Sequence, residues 1–119
     1  MKRVVIFYCK RIKDHTCIAC AKCFKGVREK AGEFEKLEDT VEIAAMTDCG
    51  DCPGLLVPRA PMIVGLVENL GAKVDAIYLG TCVKMAYEHG NCPMELDDIK
   101  LVLEQKFNVP VYIGTHPYV

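Results

Sequence analysis

The run "RVVIFY", residues 3–8, decides the fold. It is strand-length, β-branched and almost continuously apolar, as a strand buried on both faces must be. A strand with one wet face would alternate apolar and polar residues instead. Runs of the same kind recur as "VEIAAM" (residues 41–46), "VDAIYLG" (74–80) and "VPVYIG" (109–114). Between them lie patterns of helical period. Residues 24–34 carry Phe24, Val27, Ala31 and Phe34 on one face. Residues 57–70 carry Ile63, Val64, Val67 and Leu70, with Pro58 and Pro61 compatible with a first turn and Gly71 as a stop. Residues 94–107 carry Leu96, Ile99, Leu103 and Phe107. Strands alternating with helices predict an α/β domain of three layers around a mainly parallel four-stranded sheet with right-handed crossovers. The pattern leaves the strand order open.

The 119 residues form one expected domain, 1–119, with no repeat, low-complexity segment or linker. A net charge of −1 and the absence of Trp argue against a nucleic-acid or anionic-membrane partner. The amino terminus lacks the long apolar region of a signal peptide, and no segment is apolar enough to span a bilayer. A cytoplasmic protein is expected. Eight cysteines are then anomalous, because disulfides rarely persist in a reducing compartment. Metal binding or redox chemistry explains them better.

Their placement sharpens this. Cys9 follows the first strand, and His15, Cys17, Cys20 and Cys23 lie in the loop and helix start beyond it. Cys49 and Cys52 follow the second strand. Cys82 follows the third, with His89 and Cys92 in a long loop after it, and His116 follows the fourth. In a parallel sheet every such segment leaves the same edge, where ligands bind. Cysteines serving only as small buried hydrophobes would also occupy strand interiors and helix faces, and none does. His15, between Asp14 and Thr16, reads as a solvated loop residue.

Individual motifs are less decisive. "CIACAKC" spaces Cys17, Cys20 and Cys23 as in bacterial ferredoxins, but Val27 and Arg28 stand where the fourth cysteine and its proline belong. A fourth ligand would come from another loop, with Cys9 or Cys49 as candidates, and Cys20 reads equally as the first residue of a helix. "CGDC", Cys49 to Cys52, suits either a tetrahedral metal or a dithiol. Asp48 and Asp51 disfavour an activated thiolate nucleophile and suit a nearby cation. "HGNCP" offers His89 and Cys92 as a two-ligand clip, with Pro93 at the start of the last helix, and "GTHPY" puts His116 just past the last strand. No P-loop, G-x-G-x-x-G or G-x-S-x-G motif is present.

Taken in order, Cys9, Cys17, Cys23 followed by Phe24, "DCGDCPG", Cys82, Cys92 followed by Pro93, and Thr115-His116 resemble the CGGC domain family over essentially the whole chain. These are small prokaryotic proteins named for a C-G-G-C centre, and the resemblance implies metal binding, with zinc suggested by their cysteines and histidines. Asp51 replaces the second glycine of that centre. Aspartate tolerates left-handed backbone and adds a carboxylate near the site.

The expectation is a thiolate-rich metal site at the carboxyl edge of the sheet, with zinc first and an iron–sulfur cluster as the alternative. Cys49, Cys52 and Cys82 are the core ligands, joined by Cys9, Cys23, Cys92 or His116, with Cys17, Cys20 and His89 as further donors. Eight thiolates would suffice for two sites. A thiol–disulfide oxidoreductase using Cys49 and Cys52 is the rival, so an enzymatic role stays open.

Overall fold

The computed structural model describes residues 1–12, 18–50, 55–90 and 92–118. Four strands, β1 (Lys2–Tyr8), β2 (Val41–Asp48), β3 (Ala76–Leu79) and β4 (Val111–Ile113), form one sheet of order β2-β1-β3-β4. All three strand pairings are parallel. One irregularity interrupts the register between Val4 and Val5, where the partners on β2 skip from Ile43 to Ala45.

Two of the four apolar runs become the inner strands β1 and β3; the other two become the edge strands β2 and β4, and β2 is half-buried with Glu42 exposed instead of buried on both faces. Val4 to Phe7 on β1 and Ala76 to Leu79 on β3 are fully buried. Their side chains alternate between two cores. Val5, Phe7, Ile77 and Leu79 pack under α2 (Leu56–Asn69), α3 (Thr81–Glu88) and α4 (Leu96–Phe107). Val4, Ile6, Ala76 and Tyr78 face the other way, toward α1 (Ala21–Glu29) and a 3₁₀ turn at Gly32–Lys36. Each buried Val, Leu, Ile or Phe side chain among them contributes about 1.5–3 kcal/mol by leaving water. The layers are therefore helices, sheet and helices.

The second core is aromatic. Phe34 and Tyr112 flank Tyr78 with ring centroids 4.7 and 4.9 Å away. The Tyr78 hydroxyl donates to the Glu33 carbonyl at 3.0 Å. Burial holds that phenol above its usual pKa, so it remains a donor.

Several local readings change. The first helix is shorter than residues 24–34: Lys30 takes a left-handed conformation (φ 51°) and caps α1, and Phe34 reaches its core from the 3₁₀ turn. Phe24, read as facing the core, is exposed. The segment read as a long loop after the third strand is instead α3, which Gly80 joins directly to β3 and whose Cys82, Val83 and Ala86 face inward. The last helix starts at Leu96, so Pro93 lies outside it. Because α2 starts at Leu56, Pro61 falls beyond its first turn and deprives the Val57 carbonyl of its helical donor. No helix among the described residues is long and apolar enough to cross a membrane.

Candidate functional site

The strand order brings separate cysteines side by side. From β1 the chain moves to β2, then crosses back over β1 to β3, so its direction reverses between β1 and β3. A crevice opens at the carboxyl end of such a switch point. Cys9 and Cys82 meet there, the Cys9 amide donating to Cys82 Sγ at 3.1 Å. Cys82 lies in the first turn of α3 and is buried. The fit is tight: a Cβ at Gly80 would stand 3.2 Å from both Cys82 Sγ and the Phe7 carbonyl oxygen.

Cys49, also buried, follows β2, the strand beside β1. Cys92 returns past the end of α3, its amide donating to the Ala86 carbonyl at 3.1 Å. Cys9, Cys49 and Cys92 line one cavity of about 340 Å³ together with Arg11, Ile12, Val83, Ala86 and Met94. Three cysteines remote in sequence thus share a wall, with a fourth hydrogen-bonded to one of them. Among the described residues, however, no three His, Cys, Asp or Glu side chains are grouped as they would be around a bound ion. Nor does a disulfide join any two of the described cysteines. Cys17, Cys52, His15 and Asp51 lie outside the described residues.

The turn after β2 is held by Arg59 of α2. Its guanidinium donates to Thr47 Oγ1 at 2.9 Å and to the Asp48 carbonyl at 3.2 Å, and it lies 3.7 Å from the Asp48 carboxylate. That carboxylate accepts from the Gly50 amide at 2.7 Å. The Leu55 amide closes the turn on the Cys49 carbonyl at 2.6 Å. Asp48, read from the sequence as opposing a thiolate at Cys49, has its charge offset by this arginine. Arg11 and Arg59 belong to the site although neither forms a recognisable motif; their nearness to Cys9 and to the "CGDC" turn was the available signal.

The remaining donors lie elsewhere. Cys23 belongs to the core on the opposite face of the sheet. Its Sγ lies 3.3 Å from Thr115 Oγ1, which also accepts from the Thr81 amide at 3.1 Å. Thr81 Oγ1 accepts from the Thr115 amide and donates to the His116 carbonyl, at 2.9 and 2.8 Å. This network ties α1 and α3 to the end of β4. His116 is buried and stacks on Tyr118, ring centroids 5.7 Å apart. Burial and then the Lys22 charge lower its pKa, against a backbone hydrogen bond at Tyr118 that raises it. Cys20 takes a left-handed conformation (φ 58°) immediately before α1, which begins at Ala21, so it precedes that helix instead of being its first residue. His89 is the exposed C-cap residue of α3, roughly 10 Å along the helix axis from Cys82 and outside the cavity wall. The single rim expected from sequence therefore divides: Cys9, Cys49, Cys82 and Cys92 on one face, Cys23 and His116 on the other.

The comparisons with known proteins agree with the sequence motifs. The CGGC domain profile matches residues 3–116. An uncharacterized protein of Methanocaldococcus jannaschii is 36% identical over 121 residues, an alignment covering 98% of this chain and 88% of that one. No solved structure matches. With "CGDC" beginning directly after β2 in the sequence and a match running from the first strand past the last, the chain belongs to the CGGC domain family.

Proposed function

We propose that the protein binds a thiophilic metal ion, zinc first, through Cys9, Cys49, Cys82 and Cys92, with Cys52 as the further donor nearest in sequence. One observation carries the reading: cysteines from segments following β1, β2 and α3 line a single cavity. A backbone amide beside it, that of Cys9, donates to Cys82 Sγ. The donor chemistry fits, because thiolates select zinc, copper(I) or iron–sulfur clusters over hard cations. Hydrogen bonds to sulfur tune such sites. The first turn of α3 favours negative charge at Cys82, and Arg59 offsets Asp48 beside Cys49. When bound, the metal would supply either a structural crosslink or Lewis acidity. The side chains not being grouped around a point implies that loading moves them. Such a site also belongs in a reducing compartment such as the cytosol.

Elemental analysis of protein purified without oxygen or a chelating tag tests the reading. Near-stoichiometric zinc is expected, lowered by Cys9→Ser, Cys49→Ser or Cys82→Ser and unchanged by Cys23→Ser. Iron with acid-labile sulfide would move the assignment to a cluster at the same cysteines. Metal-free folded protein whose variants all behave alike would defeat it.

A second reading has its own support. Arg59 offsets the Asp48 share of the electrostatic objection to a thiolate at Cys49, which favours a Cys49–Cys52 dithiol exchanging with disulfides. That chemistry needs only the pair, so Cys9→Ser and Cys92→Ser would leave thiol exchange intact while abolishing a shared metal site.

A further inference from the structure

The two edges of the sheet are unequal. β4 is three residues long, whereas β2 runs for eight. A parallel pairing engages alternate backbone groups, so half of those on β2 point away from β1. Among the described residues, no backbone group of residues 41–47 is hydrogen-bonded outside the sheet. A long edge is usually blunted by lysine or proline, and β2 has neither.

The one irregularity of β2 is the extra residue Ala44, where the pairing skips from Ile43 to Ala45. It gives the strand a symmetry. Before it, Val41 and Ile43 pack with the aromatic core, which leaves Glu42 on the α2 face. After it, Met46 packs with the aromatic core, and Thr47 takes the Arg59 hydrogen bond on the α2 face. Ala44 and Ala45 both pack toward the α2 face. The order of faces is thus the same read from either end, about a centre between Ala44 and Ala45.

We infer that β2 pairs antiparallel with β2 of a second copy, about a twofold axis through that centre. Residues brought opposite then share a face, as an antiparallel pair requires. On one face Ile43 meets Met46 of the other copy, twice over. On the other face Glu42 meets Thr47 and the Arg59 guanidinium bonded to it, again twice. Glu42 is the exposed residue of β2, and its ion pair with Arg3 in its own chain is long, 3.8 Å. The hydrogen bonds of Arg59 to Thr47 and to the Asp48 carbonyl leave donors for a carboxylate across the seam. Asp48 falls opposite Val41, so no like charges face each other directly. This self-matching of faces, apolar pairs and charges selects a second copy over an unrelated strand. Two four-stranded sheets become one of eight strands, with a short β4 at each outer edge.

Sedimentation equilibrium and hydrogen exchange on the full chain test this. A dimer with a dissociation constant of about 1–100 µM is expected, because a single strand seam is a small interface. Amide protection at residues 41–47 should rise with protein concentration. A mixture of isotope-labelled and unlabelled chains should show contacts between Ile43 and Met46 methyls of different copies. Glu42→Lys should raise the dissociation constant roughly tenfold by setting lysine against Arg59 at both ends of the seam, with the far-ultraviolet circular dichroism unchanged. A chain still monomeric at about 1 mM would overturn the inference. So would a dimer whose protection falls elsewhere, as on the exposed Met62, Leu66 and Leu70 of α2. An affinity unchanged by Glu42→Lys would overturn it too, because the register makes that charge part of the seam.

Discussion

Gly50 shows how much one residue carries at the turn after β2. Its φ of +90° is a conformation that side chains other than glycine rarely adopt, and an added Cβ would stand 3.0 Å from Arg59 Cδ. Gly50→Ala should cost about 1–2 kcal/mol, read as a lower urea midpoint at unchanged slope. It should also loosen the Arg59 contacts that position Cys49. His116 makes a different residue-scale prediction. Its pKa is lowered in the folded chain, chiefly by burial, so the unfolded chain takes up the proton first as pH falls. Its contribution is neutral above the ordinary histidine range, near 6.5, and becomes destabilising below it. Denaturation midpoints between pH 7 and 5 should fall less steeply in His116→Gln than in the parent. An unchanged slope would mean that the ring charges as easily in the fold as in water.

Among the elements, α2 and α3 are instructive for opposite reasons. Gly65 sits inside α2, and a Cβ there would meet nothing within 4 Å. Gly65→Ala should therefore stabilise the protein by about 0.8–1 kcal/mol, the ordinary helix preference of alanine over glycine, seen as a higher thermal midpoint. α3 is the element that a period-based reading passed over. Its eight residues are few, and "TCVKMAYE" opens directly from a strand. Nothing polar separates the two, so the local pattern had no start signal beyond Gly80. Tertiary packing supplies what capping does not: Cys82, Val83 and Ala86 are all buried, the first two in the core beneath the sheet. Phe24 and Phe34 were likewise legible as apolar but not as members of different elements. A left-handed Lys30 ends α1 between them, and the nearest glycine, Gly32, comes two residues later at the opening of the 3₁₀ turn.

At the scale of the molecule, two cores cover the two faces of one sheet, and neither needs a metal to bury its side chains. The domain should therefore fold without metal, unlike small zinc modules whose core is the site. Chelation is expected to lower the thermal midpoint by ordinary ligand linkage while leaving the far-ultraviolet circular dichroism unchanged. Loss of cooperative unfolding on chelation would show that the rim, and not the cores, holds the fold.

The fold class was written in four apolar runs and the helical periods between them, because burial on both faces leaves a pattern that local sequence can carry. So was the strand-end position of Cys9 and Cys49, which directly follow β1 and β2, since parallel strands send every following segment out at one end. What local sequence could not carry is which segments become neighbours. Strand order set Cys49, Cys9 and Cys82 along adjacent strand ends, and the face of the sheet on which each helix packs sent Cys23 to the other core. Arg59 of α2 reached the turn after β2 for the same reason, whereas Arg11 was already beside Cys9 in the sequence. Proximity between distant residues exists only once the chain has packed.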